Sequence, residues 1–250
     1  MIQSLRRGVK RAFARRGYAI ERKPRALLDN APNAELRVTF EHALGRYLLS
    51  HRDFFFVQVG ANDGIAYDPI SSFVRQFGWR GVLIEPIEAY MVALRRNYEG
   101  VEGLQFRQVA ISDAKGEKPL YKVRSAPGLP EWAGTLASFS LPTILSHRPA
   151  LPGIDSLIET EIVQCLTLSD IFAELGDRKV DLLQIDVEGY DYKVLRTLDF
   201  KRWRPQIVHF EHGHLPEEEL EECLSFLIQH GYRIAQEYRD TTACLVDAAP

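Results

Sequence analysis

Cysteine is scarce: Cys165, Cys223 and Cys244 are the only three in 250 residues, and none belongs to a CxxC pair. That count and spacing exclude a zinc-like cysteine cluster, and an odd, scattered set fits a reduced intracellular chain. All three are expected as small buried hydrophobes. Long apolar runs are also missing. No uninterrupted stretch is long enough to cross a bilayer, and the N-terminus lacks the apolar core of a signal peptide. Cytoplasm is the expected location. There is no GxSxG elbow, which removes the usual serine-hydrolase signature, and no internal repeat. What is present is ordinary for a globular protein: 46% hydrophobic and 26% charged residues. The length allows one large domain or two small ones.

Charge is unevenly spread. Residues 1–25 hold nine Lys or Arg and one Glu, a net of +8, which leaves −11 for the rest of a chain at −3 overall. Leu5, Val9 and Phe13 recur on one helical face among Arg6, Arg7, Lys10 and Arg11. Two expectations follow for this basic extension, residues 1–33. It docks its stripe on the following domain, or it makes a weak contact with an anionic membrane, peripheral at the surface. The acidic remainder offers no broad basic face, so no nucleic-acid partner is expected.

From residue 34 to 250 the chain reads as one domain of alternating strands and helices. Leu36–Leu49 is a candidate entry helix. Phe54–Val59 is a largely apolar run ended by Gly60, as in a central parallel strand buried on both faces. Ile70, Phe73, Val74 and Phe77 trace a helix closed by Gly78. Gly81–Glu85 is a second strand stopped by Pro86, Tyr90–Tyr98 a second helix, and Leu104–Ile111 a third strand candidate. This order indicates an α/β fold with a doubly wound sheet. Residues 114–165 break the rhythm with Gly, Pro and Ser clusters. Leu120–Val123 and Glu161–Cys165 read as short strands there, with no compact core, in an insertion or substrate-facing cover. Alternation resumes with Thr167 as a helix cap, a strand at Val180–Val187, a helix carrying Val194, Leu195 and Leu198, and a strand at Gln206–Glu211. Pro216 opens a Glu-rich helix ended by Gly231. Tyr232–Gln236 and Thr242–Val246 read as a terminal antiparallel pair.

Four acidic positions fall at strand ends, where open α/β sheets bind ligands. The first group is Gly60-Ala61-Asn62-Asp63-Gly64, a glycine-bearing turn from strand to helix that permits close ligand approach. It lacks the full GxGxxG fingerprint of a dinucleotide site, and Asp63 would repel a pyrophosphate. The second is Glu85, whose carboxylate can accept hydrogen bonds from both hydroxyls of a ribose. The third is Asp186-Val187-Glu188-Gly189, the fourth Glu211-His212-Gly213-His214. The first two together, the Gly60–Gly64 turn and Glu85, point to an adenosine-containing ligand. Asp186, Glu211 and His212 are the candidate catalytic residues. His212 or His214 has the chemistry of a general base. Asp186, Glu188 and Glu211 are candidate ligands for a divalent ion such as Mg²⁺, which favours oxygen donors.

In order along the chain, Val57–Gly64, Gly81–Pro86, Val109–Asp113, Leu166–Asp170 and Leu183–Gly189 make the sequence similar to the FkbM family of S-adenosylmethionine-dependent methyltransferases, over about residues 54–246. The resemblance implies a Rossmann-like class I methyltransferase fold, a mostly parallel seven-stranded sheet with a terminal antiparallel hairpin. It implies cofactor contacts from Gly60, Asn62, Asp63 and Gly64, ribose binding by Glu85, adenine packing by Ile111 and Ser112, and Asp186 at the join between cofactor and acceptor. It also implies O-methylation of a small-molecule acceptor, a sugar or another hydroxyl-bearing natural product. Two rival readings remain open at this level: a nicotinamide-linked or nucleotide-sugar oxidoreductase, and a non-catalytic, membrane-associated protein that binds an adenosyl ligand.

Overall fold

The structure is a computed structural model that describes residues 40–48 and 53–245. The expectations for the basic extension at 1–33 lie outside those residues. In chain order the elements are α1 (Phe40–Leu48), β1 (Phe55–Val59), α2 (Ser71–Phe77), β2 (Arg80–Ile84), α3 (Glu88–Asn97), β3 (Leu104–Arg107), β4 (Ala110–Ile111), β5 (Gly116–Val123), β6 (Ala137–Ser138), α4 (Leu141–Leu145) and β7 (Ile158–Leu166). Then come α5 (Leu168–Leu175), β8 (Leu182–Ile185), α6 (Asp191–Leu195), β9 (Ile207–Glu211), α7 (Glu217–Gln229), β10 (Tyr232–Glu237) and β11 (Asp240–Leu245). Among the described residues no helix is long and apolar enough to cross a membrane.

Seven strands form the main sheet in the order β10-β11-β9-β8-β1-β2-β3. β9, β8, β1, β2 and β3 are mutually parallel, and β10 and β11 are antiparallel at one edge. The two halves wind outward from β1, so the order reverses between β1 and β8, the place where such sheets open a ligand crevice. Strand periodicity sorts the core. Phe55, Val57 and Val59 face Ile171, Phe172, Val194 and Leu227 on one side. Phe54 and Phe56 face Leu44, Val74, Met91 and Leu94 on the other. Both faces are covered, which is why β1 reads as a continuous apolar run rather than an alternating one. Asp181 fixes the start of β8: its carboxylate accepts from Phe55 N at 2.8 Å and Tyr47 Oη at 2.5 Å.

The α5 cap is as read from sequence. Thr167 accepts from Asp170 N, and the Asp170 carboxylate accepts from Thr167 N at 3.0 Å, a reciprocal box. Gly78 ends α2 in the left-handed conformation. Cys165 and Cys223 are buried, whereas Cys244 is only half-buried.

Two expectations are corrected. Leu104–Ile111 is not one strand: β3 stays in the main sheet, and β4 leaves it to pair with β7. Residues 114–165 are also more ordered than their composition indicates. β5 and β7 pair antiparallel along their whole length, and with β4 and β6 they make a second, four-stranded sheet. This region has its own small core of Val123, Ala133, Leu136, Ile144, Leu151 and Ile154. The core takes Val123 from β5, Ile144 from α4 and the rest from short turns and loops between them, so no single helix-like or strand-like stripe announces it.

Candidate functional site

A cavity of about 310 Å³ lies beyond the carboxyl ends of β1, β2, β8 and β9, beneath the second sheet. Gly60 makes its floor. At φ +79° it turns the chain out of β1, and a Cβ there would collide with the carbonyl oxygen of Asp186. The Asp186 amide in turn donates to Val59 O at 3.0 Å, so the ends of β1 and β8 meet without a side chain between them. Asn62, at φ 45°, is a non-glycine residue in the left-handed region and also lines the cavity.

Glu85 projects from the end of β2 and is only 4% exposed. One carboxylate oxygen accepts from Asn62 N at 3.0 Å and the other from Ile87 N at 2.9 Å. Burial pushes its pKa up to about 7, against the pull of those two amides. Ile111 lines the cavity from β4. Three other expected cofactor residues are not on its wall. Asp63 spends its carboxylate on the amides of Ile65 and Ala66, both at 2.9 Å, closing its own loop. Gly64 is packed against Tyr98 and Leu94. Ser112 is buried, its hydroxyl between Asp113 at 2.8 Å and Lys118 Nζ at 2.7 Å.

The acidic end of the cavity gathers Asp186, Glu188 and Glu211, whose carboxylate oxygens lie within 4.8 Å of one another. Burial holds the Asp186 carboxyl well above the usual range, and Glu211 and Glu188 add to that by like-charge repulsion. Glu211 is raised for the same reasons, burial first and Glu188 second. Arg239 from the β10–β11 turn answers part of this charge, with Nε at 2.9 Å and Nη2 at 2.7 Å from Glu211 Oε1. His214 Nε2 lies 3.0 Å from Glu188 Oε2, a contact that raises the imidazole pKa, and it also touches the Arg239 guanidinium. His212 is placed differently from the expectation: its Nδ1 is 3.0 Å from Thr241 Oγ1, and the ring is not on the cavity wall. The turn after β9 folds back on Arg239, so the histidine two residues further on takes the inward position.

The roof comes from the second sheet and its loops: Trp132, Leu136, Ser138, Phe139 and His147 all face the cavity. Ser138 Oγ donates to Glu188 O at 2.8 Å, and the Tyr90 hydroxyl bonds Gly134 O, so this cover is tied to both the β8 loop and α3. Sequence reasoning missed several wall residues. Gln58 and Gln184 sit side by side in β1 and β8, buried, each with a side-chain oxygen that has no partner among the described residues. Asp68, beside Gln58, has a carboxyl raised by burial. The signal was there: a glutamine interrupts each of two otherwise apolar central strands, and a buried amide is costly without a purpose. Arg239 and His147 gave none, because a turn arginine and a loop histidine are ordinary on any surface.

A seven-stranded sheet of this order, with its antiparallel hairpin and a cavity at the switch point, is the Rossmann-like class I methyltransferase fold. The methyltransferase FkbM domain matches residues 58–234, and the chain belongs to that family. Among solved structures, the FkbM methyltransferase of Methylobacillus flagellatus KT superposes with a TM-score of 0.51 at 11% identity. That match covers 83% of this chain and 47% of the other, so this chain spans about half the length of that relative. The N-terminal domain of human METTL16 aligns at 0.46 and 12% identity over 92% of this chain and 76% of that one. The ribosomal protein L11 methylase of Lactobacillus delbrueckii subsp. bulgaricus aligns at 0.42 and 11% identity, over 80% and 72%. Comparison with curated proteins found no match.

Proposed function

We propose that this protein transfers the methyl group of S-adenosylmethionine to a hydroxyl oxygen of a small molecule, a sugar or another hydroxyl-bearing natural product. The observation that carries the reading is a single cavity with a glycine-floored, carboxylate-walled half at Gly60 and Glu85 and an acidic half at Asp186. The residues fit the cofactor: Gly60 lets the chain turn out of β1 tight against the Asp186 carbonyl and keeps the cavity floor bare backbone, and Glu85 is a buried carboxylate able to take the two hydroxyls of a ribose. Gln58, Gln184 and Asp68 each hold one buried oxygen with no partner among the described residues, where an ammonium group can be met.

S-adenosylmethionine supplies a methyl carbon activated by its sulfonium, so that the new O–C bond forms as the C–S bond breaks and the sulfur leaves as a thioether. The chain must then hold the acceptor oxygen, exclude water and take the hydroxyl proton. Asp186 is the residue proposed to take that proton, since a carboxylate with a raised pKa is a stronger base than an exposed one. The cover excludes water and shapes the acceptor half. Mg²⁺ on Asp186, Glu188 and Glu211 is not needed for this reading, because Arg239 already brings positive charge to Glu211.

Glu85 gives the direct test of the cofactor half. Ribose hydroxyls need the ionised carboxylate, whereas the empty site binds a proton up to about pH 7. Cofactor affinity is therefore expected to fall as pH drops below about 7, with a proton released on binding. Calorimetry of S-adenosylhomocysteine between pH 5.5 and 8, in buffers of different ionisation enthalpy, reads both effects. Glu85→Gln should weaken binding by about tenfold or more and remove the proton release. Wild-type affinity in that variant would end the assignment of Glu85.

A further inference from the structure

The acceptor half of the cavity contains a donor set that the methyl-transfer chemistry leaves unused. We propose that His147, Glu188 and His214 form a binding site for one divalent transition-metal ion of the zinc type. Their ligand atoms lie within 4.8 Å of one another. Each comes from a different segment: His147 from the cover after α4, Glu188 from the loop after β8, and His214 from the loop after β9. In a tetrahedral site with bonds of about 2.0–2.1 Å the donors stand roughly 3.4 Å apart, so modest side-chain rotation brings them onto one ion.

Two independent observations point to a cation here. His147 Nε2 is buried on the cavity wall with no hydrogen-bond partner among the described residues, although its ring packs between Trp132 and His214 at centroid distances of 5.6 and 5.0 Å. A buried ring nitrogen without a partner is costly, and a metal ion is one of the few things that satisfies its lone pair. The second observation is a conflict at His214 Nε2, which faces Glu188 Oε2 at 3.0 Å and a guanidinium NH of Arg239 as well. If that nitrogen carries a proton it suits Glu188 and opposes Arg239. If it carries a lone pair it suits Arg239 and opposes the carboxylate. Arginine cannot accept a hydrogen bond, so neither protonation state satisfies both neighbours. An ion shared by His214, Glu188 and His147 removes the conflict and leaves Arg239 wholly on Glu211.

The donor chemistry selects the ion. Two imidazoles and one carboxylate suit zinc and its first-row neighbours, whereas Mg²⁺ prefers an all-oxygen set. Three protein donors leave a position open for an acceptor oxygen, whose proton such an ion would make easier to remove. That last role rests on the methyl-transfer reading above; the binding site itself does not. Because His147 belongs to the cover, the ion would also fasten the cover over the acceptor.

Titration of the chelator-stripped, full-length protein with Co²⁺ tests the site. The expected result is one ion per chain with visible d–d absorption, displaced by Zn²⁺ and unaffected by millimolar Mg²⁺. His147→Ala and Glu188→Gln should each weaken Co²⁺ at least tenfold, while Arg239→Gln, which removes the competing cation, should tighten it. His147→Gln serves if the alanine variant does not fold. Absence of a stoichiometric site, or unchanged Co²⁺ affinity in both His147 variants, overturns the proposal. S-adenosylhomocysteine calorimetry on the metal-free protein separates this outcome from the cofactor assignment, which stands or falls on that measurement alone.

Discussion

Asp186→Asn is expected to lower the methyl-transfer rate by about 10²–10⁴-fold, the range that a positioned general base contributes. Cofactor affinity should change little. The substitution keeps the size and one acceptor oxygen of the side chain, so the contacts at the end of β8 survive; those near Gly60 involve the Asp186 backbone rather than its carboxyl. What it removes is the ability to take a proton. The pH profile provides a second check. The Asp186 carboxyl sits half-buried on the cavity wall beside Glu211 and Glu188, and burial together with their like charge raises its pKa well above that of an exposed aspartate. A base acts in its charged form, so the wild-type rate should fall as pH drops, and the fall should begin above the ordinary carboxylate range. The asparagine variant should lack that acidic limb. Initial rates against pH on an identified acceptor decide the matter, and a near-wild-type rate for Asp186→Asn would remove it as the base.

Gly60→Ala is expected to disable the cofactor half and to destabilise the fold together. Left-handed backbone costs an L-residue about 1–2 kcal/mol, and at φ +79° Gly60 would meet that cost in full. The new methyl would also strike the Asp186 carbonyl, a rigid backbone group between two central strands, rather than the movable end of a side chain. Total destabilisation of at least about 2–3 kcal/mol follows, with S-adenosylhomocysteine binding lost. Gly100→Ala is the internal control. It has a similar φ of +81° but open space around its Cβ, so it should show the backbone cost alone and keep ligand affinity. Urea unfolding and calorimetry on both variants separate collision from conformational strain. Equal effects in the two would show that the close approach at Asp186 does not matter.

The main sheet was readable from sequence because its strands are buried on both faces and bounded by glycine or proline. Phe54–Val59 with Gly60 and Gly81–Glu85 with Pro86 are apolar runs whose short length and closing Gly or Pro mark them as strands where periodicity alone would not. Strand-end carboxylates were also readable, since topology alone sends Glu85, Asp186 and Glu211 to one edge. Which neighbour of those residues turns inward was not. Asp63 and Asp68 are both loop aspartates that accept from the amides two and three residues on, yet only Asp68 reaches the cavity wall beside Gln58. His212 and His214 differ only by how a tight turn packs on Arg239. Such choices are made by contacts between segments far apart in sequence, and local pattern carries no record of them. Two strands of the second sheet were read, Leu120–Val123 within β5 and Glu161–Cys165 within β7, but their pairing and the core beneath them escaped for a related reason. Its strands are joined by a long antiparallel register, and its small core gathers residues from a strand, a short helix and the loops between them.

The departure of β4 from the main sheet has a kinetic consequence. Ile111 forms the wall beside the expected adenine position, yet through β4 it is hydrogen-bonded to β7, the long strand of the cover. Tyr90, one turn into the helix that follows Glu85, is bonded to Gly134 of the same cover. One hydrogen-bonded piece therefore borders both halves of the cavity. Filling the first half would steady the piece that shapes the second, which favours a compulsory order of addition, with cofactor before acceptor and methylated product leaving before S-adenosylhomocysteine. Product-inhibition patterns would carry that signature: S-adenosylhomocysteine competitive with S-adenosylmethionine, and the methylated product competitive with neither substrate.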